Sequence, residues 1–196
     1  MSREEQRDAT RRALVASASR RFATAGYAAT SLPEIVSDAE VTKGALYHHF
    51  GSKAELFEAV LSEVQEGVAA QVVRAAESAG SDAWDQMLAG CRAFLEASTD
   101  TSVSRIMLID GPAVLGWSRW RRYDDANSAQ HLGEAIAELA AQGVLTGDVD
   151  ATTRLLSGAM NEAAIWSAEA PAQDRARNLD AAVATLTAML EGLRTR

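Results

Sequence analysis

The sequence Val41-Thr-Lys-Gly-Ala-Leu-Tyr-His-His-Phe50 decides the fold of the amino-terminal part of the chain. Thr42 is suited to cap a helix, and the apolar residues at 41, 46 and 50 supply a face that can pack on a core. The opposite face is polar or small. Gly44 costs about 1 kcal/mol relative to Ala inside a helix, so its presence indicates close approach of another molecule. We therefore expect a short helix over residues 42–49 that offers its polar face to a partner.

A second short helix precedes this one. Ser31 can cap it, Glu34 can complete a capping box, and Pro33 is tolerated in the first turn because its missing N–H is not needed there. The two helices, each of about eight residues, are joined by a turn at Glu40-Val41, which is the geometry of a helix-turn-helix that places its second helix in a DNA major groove. Spacing alone makes this a weak indication.

The rest of the chain is predicted to be helical, because prolines are few and no segment alternates apolar and polar residues as a strand does. A first helix over Arg7–Ala25 is expected to end at Gly26, and a fourth is expected to start after Ser52 and reach about Ala79. Further helices are predicted at Asp82–Ser98, Ser102–Ile109, Gly116–Gly143, Asp150–Ala168 and Pro171–Arg194. The fold class is therefore all-α with about nine helices. We expect an amino-terminal helix-turn-helix domain over residues 1–60 and a second helical domain over residues 61–196.

Composition excludes several classes of protein. The 196 residues include 19 Lys and Arg against 27 Asp and Glu, a net charge of -8, so the chain as a whole is not a basic nucleic-acid binder. Its longest uncharged stretch, Phe22–Pro33, has 12 residues and is too short to cross a membrane. The polar start of the chain is unlike a secretory signal peptide. We expect a cytoplasmic protein with no membrane partner.

The sequence offers no sign of catalysis. One cysteine, Cys91, and three scattered histidines do not make a zinc site. There is no nucleophile-base-acid order and no glycine-rich phosphate loop. Asp124 and Asp125 are adjacent, so on a helix they point about 100° apart and do not form a catalytic pair. We expect no catalytic residue, no metal and no cofactor.

Residues 7–60 resemble the DNA-binding domain of the tetracycline-repressor (TetR) family of bacterial transcription regulators. The matching residues are Leu14, Ala18, Phe22 and Gly26 of the first helix, Thr30, Ser31 and Ile35 of the second, Val41 to Phe50 of the third, and Ser52, Lys53 and Leu56 at the start of the fourth. So many matches in order make a specific signal over about a quarter of the chain.

The resemblance implies double-stranded operator DNA as a partner and assigns roles by position. Thr30 and Ser31 would contact phosphate, as would Lys53 beside a helix start, while the third helix would face base edges and backbone. The implied DNA-binding residues are Thr30, Ser31, Thr42, Lys43, Gly44, Ala45, Tyr47, His48, His49 and Lys53. In the alternative, Tyr47 and His49 only pack against the first helix, and Lys43 and Lys53 are solvated charges. Four further basic residues could add an arm along the DNA or form a solvated face: Arg3, Arg7, Arg11 and Arg12.

Glu40 departs from the family pattern, which usually has glycine just before the valine of the turn. If this position needs a positive φ, Glu40 carries strain of about 1 kcal/mol, and its carboxylate lies near the DNA phosphates. The departure is the best support for a second reading, a helical interaction or ligand-binding protein that has lost specific DNA binding.

The charge divides unevenly along the chain. Residues 1–53 carry 8 basic and 6 acidic side chains, a net of +2, whereas residues 54–196 carry 11 and 21, a net of -10. The only two lysines, Lys43 and Lys53, both fall at implied DNA contacts. The acidity therefore belongs to the second domain, and DNA binding is expected to involve a modest number of phosphate contacts.

The last two predicted helices carry apolar seams that must be buried. By resemblance they form a four-helix interface in a homodimer, which fits a palindromic operator, but both seams could equally be core of a single chain. The expected interface residues are Leu155, Ala159, Ala163, Trp166, Val183, Leu186 and Leu190.

A pocket for an unknown small-molecule inducer is implied in the second domain. Such a molecule would release the regulator, most simply a repressor, from its operator by favouring another conformation. The candidate lining residues are Met87, Cys91, Phe94, Met107, Trp117, Trp120, Tyr123 and Asn161, with Arg105 and His131 as further possible polar anchors. Met and aromatic residues at helical spacing are also what an ordinary core contains, and Cys91 on an apolar face is expected to be buried and inert.

Overall fold

The computed structural model of the protein describes residues 2–195. Three helices form the amino-terminal part of the fold. They are α1 (Arg3–Ala29), α2 (Leu32–Asp38) and α3 (Lys43–His49). At the start of α3 the Thr42 hydroxyl accepts the Ala45 N–H at 3.1 Å, which is the cap expected from the sequence.

Helix α4 (Lys53–Ser78) continues from the amino-terminal part into the rest of the chain and packs along α5 (Ala83–Ser98). Its cap is Ser52, whose hydroxyl accepts the Glu55 N–H at 3.1 Å. Because α4 runs through residue 60, the expected domain boundary falls inside one continuous helix. The boundary itself stays a prediction.

The remaining helices pack around α4 and α5. In chain order they are α6 (Thr101–Ser104), a π-helical turn (Arg105–Asp110), α7 (Gly111–Leu115), α8 (Trp117–Asp125), α9 (Ser128–Ala141), α10 (Val149–Glu169) and α11 (Ala172–Gly192). The only β pairing within residues 2–195 is an isolated bridge between Leu145 and Arg194. The all-α class is confirmed. No helix in this part of the chain is long and apolar enough to cross a membrane.

The prediction of one helix over Gly116–Gly143 is wrong, because α8 and α9 are separate. Asn127 lies between them with φ -129° and ψ -116°, which is outside the helical region. Its side-chain amide donates to the Tyr123 carbonyl at 2.7 Å. Asn competes with backbone donors in this way, which explains why it ends α8. This break, together with α7, raises the number of α-helices in residues 2–195 above the expected nine.

The expected bounds of two other helices also need correction. Helix α1 begins at Arg3 and not at Arg7; Gly26, with φ +80° and ψ 166°, interrupts it where the sequence predicted an end, and a short helical stretch follows to Ala29. The helix expected to stop at Ile109 continues through the π-helical turn, where the Gly111 N–H bonds to the Ile106 carbonyl. The Met107 carbonyl accepts the Trp120 indole N–H at 2.7 Å instead. A side chain distant in sequence therefore stabilises the wider turn.

The amino-terminal core holds α3 in place. Leu46 is fully buried, as are Phe22 and Phe57, whose rings make an edge contact with centroids 5.3 Å apart. Arg21 on α1 bonds to Asp38 at 2.6 Å and Glu34 at 3.1 Å, which ties α2 to α1. Helix α3 is thus fixed from its inner face and leaves its outer face open.

Candidate functional site

The outer face of α3 carries the residues expected to meet DNA. Lys43, Gly44 and His48 are exposed, as is Tyr47 with 49% of its surface accessible. The Lys43 Nζ lies 5.8 Å from the centroid of the Tyr47 ring, so the ammonium and the phenol form one patch. Ala45 is half-buried. The structure therefore places a cation, an aromatic hydroxyl and a glycine together on a solvent-facing helix.

Lys53 is not a freely solvated charge. Its Nζ lies 4.2 Å from the centroid of the Tyr27 ring, a cation–π contact at the start of α4. Burial lowers the pKa of Lys53, and the carboxylates of Asp110 and Glu34 partly oppose that effect. An ammonium held beside a helix start in this way is well placed to meet a phosphate.

Thr30 and Ser31 are engaged within the chain. Thr30 is buried, and its hydroxyl donates to the Gly26 carbonyl at 2.8 Å. Ser31 is exposed, and both its N–H and its hydroxyl donate to Glu34, at 2.9 and 2.7 Å. The geometry gives Thr30 a role in ending α1, and it leaves Ser31 as the accessible member of the pair.

The end of α3 lies next to basic residues of α1. The Arg11 guanidinium sits 5.5 Å from the centroid of the Phe50 ring. Burial lowers the pKa of His49, and the nearby His48, Arg7 and Arg11 lower it further while Asp8 opposes them, which favours the neutral imidazole. Arg7 and Arg11 thus extend the positive surface beyond α3, where the sequence left their role open.

Gly44 is not required by the packing of its own chain. A Cβ added there would meet only the Thr42 hydroxyl, at 3.9 Å. Since glycine weakens a helix and nothing inside the protein needs it, the open space above Gly44 is best explained by an external partner.

We expect Gly44→Ala to separate stability from DNA binding. The substitution should raise the free energy of unfolding by about 0.5–1 kcal/mol, because alanine favours the helix. It should lower DNA affinity, because the added methyl keeps the helix from its closest approach. Urea titration and a mobility-shift titration measure the two effects. A variant that is more stable and binds DNA as well as the parent would contradict this role.

Glu40 has the positive φ on which the expected strain at this position of the turn depends. Its φ is +53°, and among residues 2–195 it is the one non-glycine residue with positive φ. The turn closes with the Val41 N–H on the Val36 carbonyl at 3.2 Å. Glu40 therefore carries the expected strain, about 1 kcal/mol, in a turn that is closed by a backbone hydrogen bond.

A cavity of about 240 Å³ lies between α4, α5, α9 and α10. Three of the eight candidate pocket residues line it, namely Met87, Cys91 and Phe94. The lining also includes buried residues outside the eight candidates. Val72, Leu132 and Met160 are among them. Of the two possible polar anchors, His131 lines the cavity and Arg105 does not.

The other five candidates do not line the cavity. Trp120 bonds to the Met107 carbonyl in the π-helical turn, and the Tyr123 hydroxyl donates to Glu58 of α4 at 2.7 Å. Trp117 is 65% exposed. Asn161 is buried and shares a hydrogen bond with Asp124. Helical spacing could not distinguish these positions from cavity positions, because their partners are distant in sequence.

Cys91 should be unreactive in the folded protein. Burial raises the pKa of its thiol to about 12. Compared with an unfolded chain, this lowers the thiolate fraction at neutral pH about 1000-fold. We expect Ellman's reagent to label the folded protein slower than the guanidinium-unfolded protein by at least that factor. Equal rates in the two states would show that the thiol is open to solvent.

Exposed apolar side chains lie along α10 and α11, two of them in a groove between these helices. Leu155 is 75% exposed and lies outside the groove, whereas Trp166 and Met189, each 50% exposed, line it. Ala159 and Ala163 also line the groove, as does Leu186, which is itself largely buried. Leu190 is buried within the chain, and Val183 is half-buried. The apolar face available to a second copy is therefore carried mainly by α10 and Met189.

Two family models match the chain. Residues 14–60 match the model described as bacterial regulatory proteins, tetR family. Residues 84–193 match the tetracyclin repressor-like, C-terminal domain.

Similarity to known proteins extends over most of the chain. The HTH-type transcriptional regulator TtgR of Pseudomonas putida is 32% identical over 162 residues, which is 76% of this chain and 74% of TtgR. The TetC protein of transposon Tn10 from Escherichia coli is 26% identical over 79% of this chain and 78% of its own length. The crystal structure of a TetR-family transcriptional regulator from Pectobacterium atrosepticum is 33% identical, has a TM-score of 0.81 and covers 100% of this chain and 99% of its own.

Proposed function

Since the chain belongs to the tetR family of bacterial regulatory proteins, we propose that it represses transcription as a homodimer on a palindromic operator. A small molecule that enters the α4–α5–α9–α10 cavity would release it. As a DNA-binding regulator it would work in the cytoplasm, where its operator lies. The observation that carries the proposal is the outer face of α3, where Lys43 and Tyr47 flank a glycine that the chain itself does not need.

Positive charge supports DNA contact at this end of the molecule. Residues 1–53 have a net charge of +2 although the whole chain has -8. Lys43, Lys53 and Arg11 are each held against an aromatic ring, which limits the entropy lost when they bind phosphate. DNA affinity should fall with rising salt, in proportion to a small number of phosphate contacts.

The exposed face of α10 supports dimer formation. Leu155 and Trp166 are large apolar side chains left in contact with water by a single chain. Two copies that pack these faces around a two-fold axis would bury them and hold two α3 helices at a fixed spacing. Such a pair matches half-sites separated by about one helical turn or more of DNA.

Two junctions can carry a change in the cavity to α3. Asp110 of the π-helical turn accepts the Tyr27 N–H at 2.8 Å, and Arg105 donates to the Thr24 carbonyl at 3.0 Å. Helix α4 lines the cavity near Glu77 and begins at the proposed phosphate contact Lys53. Movement of α4 or of the π-helical turn would therefore shift the start of α4 and the end of α1 together.

We expect Asp110→Ala to weaken the coupling between cavity and DNA. It removes the acceptor of the Tyr27 N–H and should cost about 1–3 kcal/mol of stability. In the Asp110→Ala variant, release of the operator should need more inducer or become incomplete. Asp110→Asn should keep release as in the parent, because its amide oxygen still accepts the Tyr27 N–H. Mobility-shift titrations with inducer measure this. Unchanged release by Asp110→Ala would mean that this junction does not transmit the signal.

A mobility-shift titration against the DNA upstream of the protein's own gene tests the proposed function. A specific shift that competitor DNA of random sequence does not remove is expected. The exposed carboxylate of Glu40, in the turn before α3, favours one other candidate, a helical ligand-binding or interaction protein without specific DNA binding. Absence of a specific shift at low salt would support that candidate and contradict the proposal.

A further inference from the structure

The cavity combines an apolar floor with an acidic mouth. Met87, Phe94 and Met160 line the floor and are each at most 5% exposed. A cavity of roughly 150 Å³ can hold benzene. The 240 Å³ available here therefore leaves room for one ring with a short substituent.

Three carboxylates stand at the mouth. Glu77 comes from α4, and Glu134 and Glu138 come from adjacent turns of α9. Among residues 2–195, no Lys or Arg lines the cavity. Glu134 accepts from Gln130 at 2.8 Å, and Glu138 accepts from Gln142 at 3.2 Å. Both contacts are with neutral amides, so they leave the negative charge in place.

The charge at the mouth is not balanced by the basic residues of this part of the chain. Within residues 2–195 none of the three glutamates makes an ion pair with Lys or Arg. The arginines bond to other acids, as Arg92 does to Glu96 and Arg119 to Glu58. Of the lining residues that the structure describes, His131 alone can become a cation, and its Nδ1 is 3.5 Å from Glu134. Low-dielectric walls around such a cluster focus a negative potential into the cavity.

We propose that the molecule recognised by this cavity is an amphiphilic cation, a small aromatic body that carries one ammonium or amidinium group. The body would pack among Met87, Phe94 and Met160, and the cation would lie between the glutamates of α4 and α9. Phe94 and the methionine sulfurs suit an aromatic neighbour. An anionic ligand would meet three like charges. The inference rests on the proposed function only where it concerns the consequence of binding, which is release of DNA.

Calorimetric titration of the full chain with three probes of similar size tests the ligand class. Benzyltrimethylammonium is the cation, benzyl alcohol the neutral probe and phenylacetate the anion. The cation should bind about tenfold tighter than either of the others, because each partly exposed ion pair contributes up to about fivefold. Equal or tighter binding of phenylacetate or benzyl alcohol, or no heat with the cation at millimolar concentration, would overturn the inference.

Glutamate variants locate the effect. Glu134→Gln with Glu138→Gln should weaken binding of the cation about tenfold. The control is Glu63→Gln. Glu63 is exposed, does not line the cavity and lies about 21 Å along α4 from Glu77, so this substitution should change the affinity for the cation less than twofold. Glu138→Lys should shift the preference toward phenylacetate. Equal loss in Glu63→Gln, or no loss in the double variant, would overturn the inference.

Operator release is measured separately so that the two proposals fail differently. Binding of the cation without release of DNA would support the ligand class and contradict the proposed release step. Specific DNA binding by a protein that ignores the cation would leave the proposed function standing and overturn the ligand class.

Discussion

Lys43→Ala combined with Tyr47→Ala is expected to lower affinity for operator DNA about 100-fold or more at constant salt. A side chain that reads a base edge contributes about 1–3 kcal/mol, and each dimer loses two copies of both contacts. The effect should be confined to binding, because both side chains are exposed and the core residue Leu46 is untouched. Fluorescence anisotropy with labelled operator measures the affinity.

Arg74→Ala is the matched control for this loss. It removes one positive charge from an exposed position of α4, in the part of the chain away from α3. We expect less than a twofold change in affinity, since only charges near the DNA backbone release counterions. An equal loss in the control, or parental affinity in the double variant, would mean that α3 does not contact DNA.

Trp166→Asp is expected to convert the proposed homodimer into a monomer. The indole is half exposed in one chain, and burying a carboxylate in an apolar interface costs several kcal/mol. Sedimentation should then report a mass near 20.9 kDa at micromolar concentration, where the parent should report twice that mass. Operator affinity should fall about 100-fold or more, because one α3 alone cannot hold both half-sites.

Trp117→Asp supplies the control for the dimer. It makes the same chemical change at a side chain that is 65% exposed on α8, outside the α10–α11 groove. The variant should remain dimeric. A parent protein that sediments as a monomer would contradict the proposed assembly, as would a Trp166→Asp variant that remains a dimer.

The helix-turn-helix was predictable because local residues determine it. Thr42 caps α3 within three residues, and Leu46 recurs at the spacing of a buried face. The strain at Glu40 could also be anticipated, because it depends only on which residue occupies one position of the turn. Each of these features depends on contacts within a few residues, which a sequence displays directly.

The cavity could be predicted only in part. Met87, Cys91 and Phe94 share one face of α5, so periodicity identified them. Trp120 instead bonds to a carbonyl thirteen residues away, a contact that no spacing rule contains. Similarly, Leu186 fits an apolar seam whether it packs in its own chain or against a second one. Non-local packing decides such cases.

The acidic mouth was missed for a different reason. Glu134 and Glu138 look like ordinary solvated residues of an amphipathic helix, and Glu77 is far from them in sequence. Only the packing of α4 beside α9 brings the three together. The count of acidic residues in the second part of the chain was a usable signal, although it did not say where the charge would concentrate.

Hydroxyl-radical footprinting of the operator tests the central claim most directly, because it shows where each copy of α3 meets the duplex. We expect two protected patches of sugar-phosphate backbone related by a two-fold axis, flanking major grooves about one helical turn or more apart. Both patches should disappear with Lys43→Ala and Tyr47→Ala. A single patch, or protection that survives those substitutions, would contradict recognition by a pair of α3 helices.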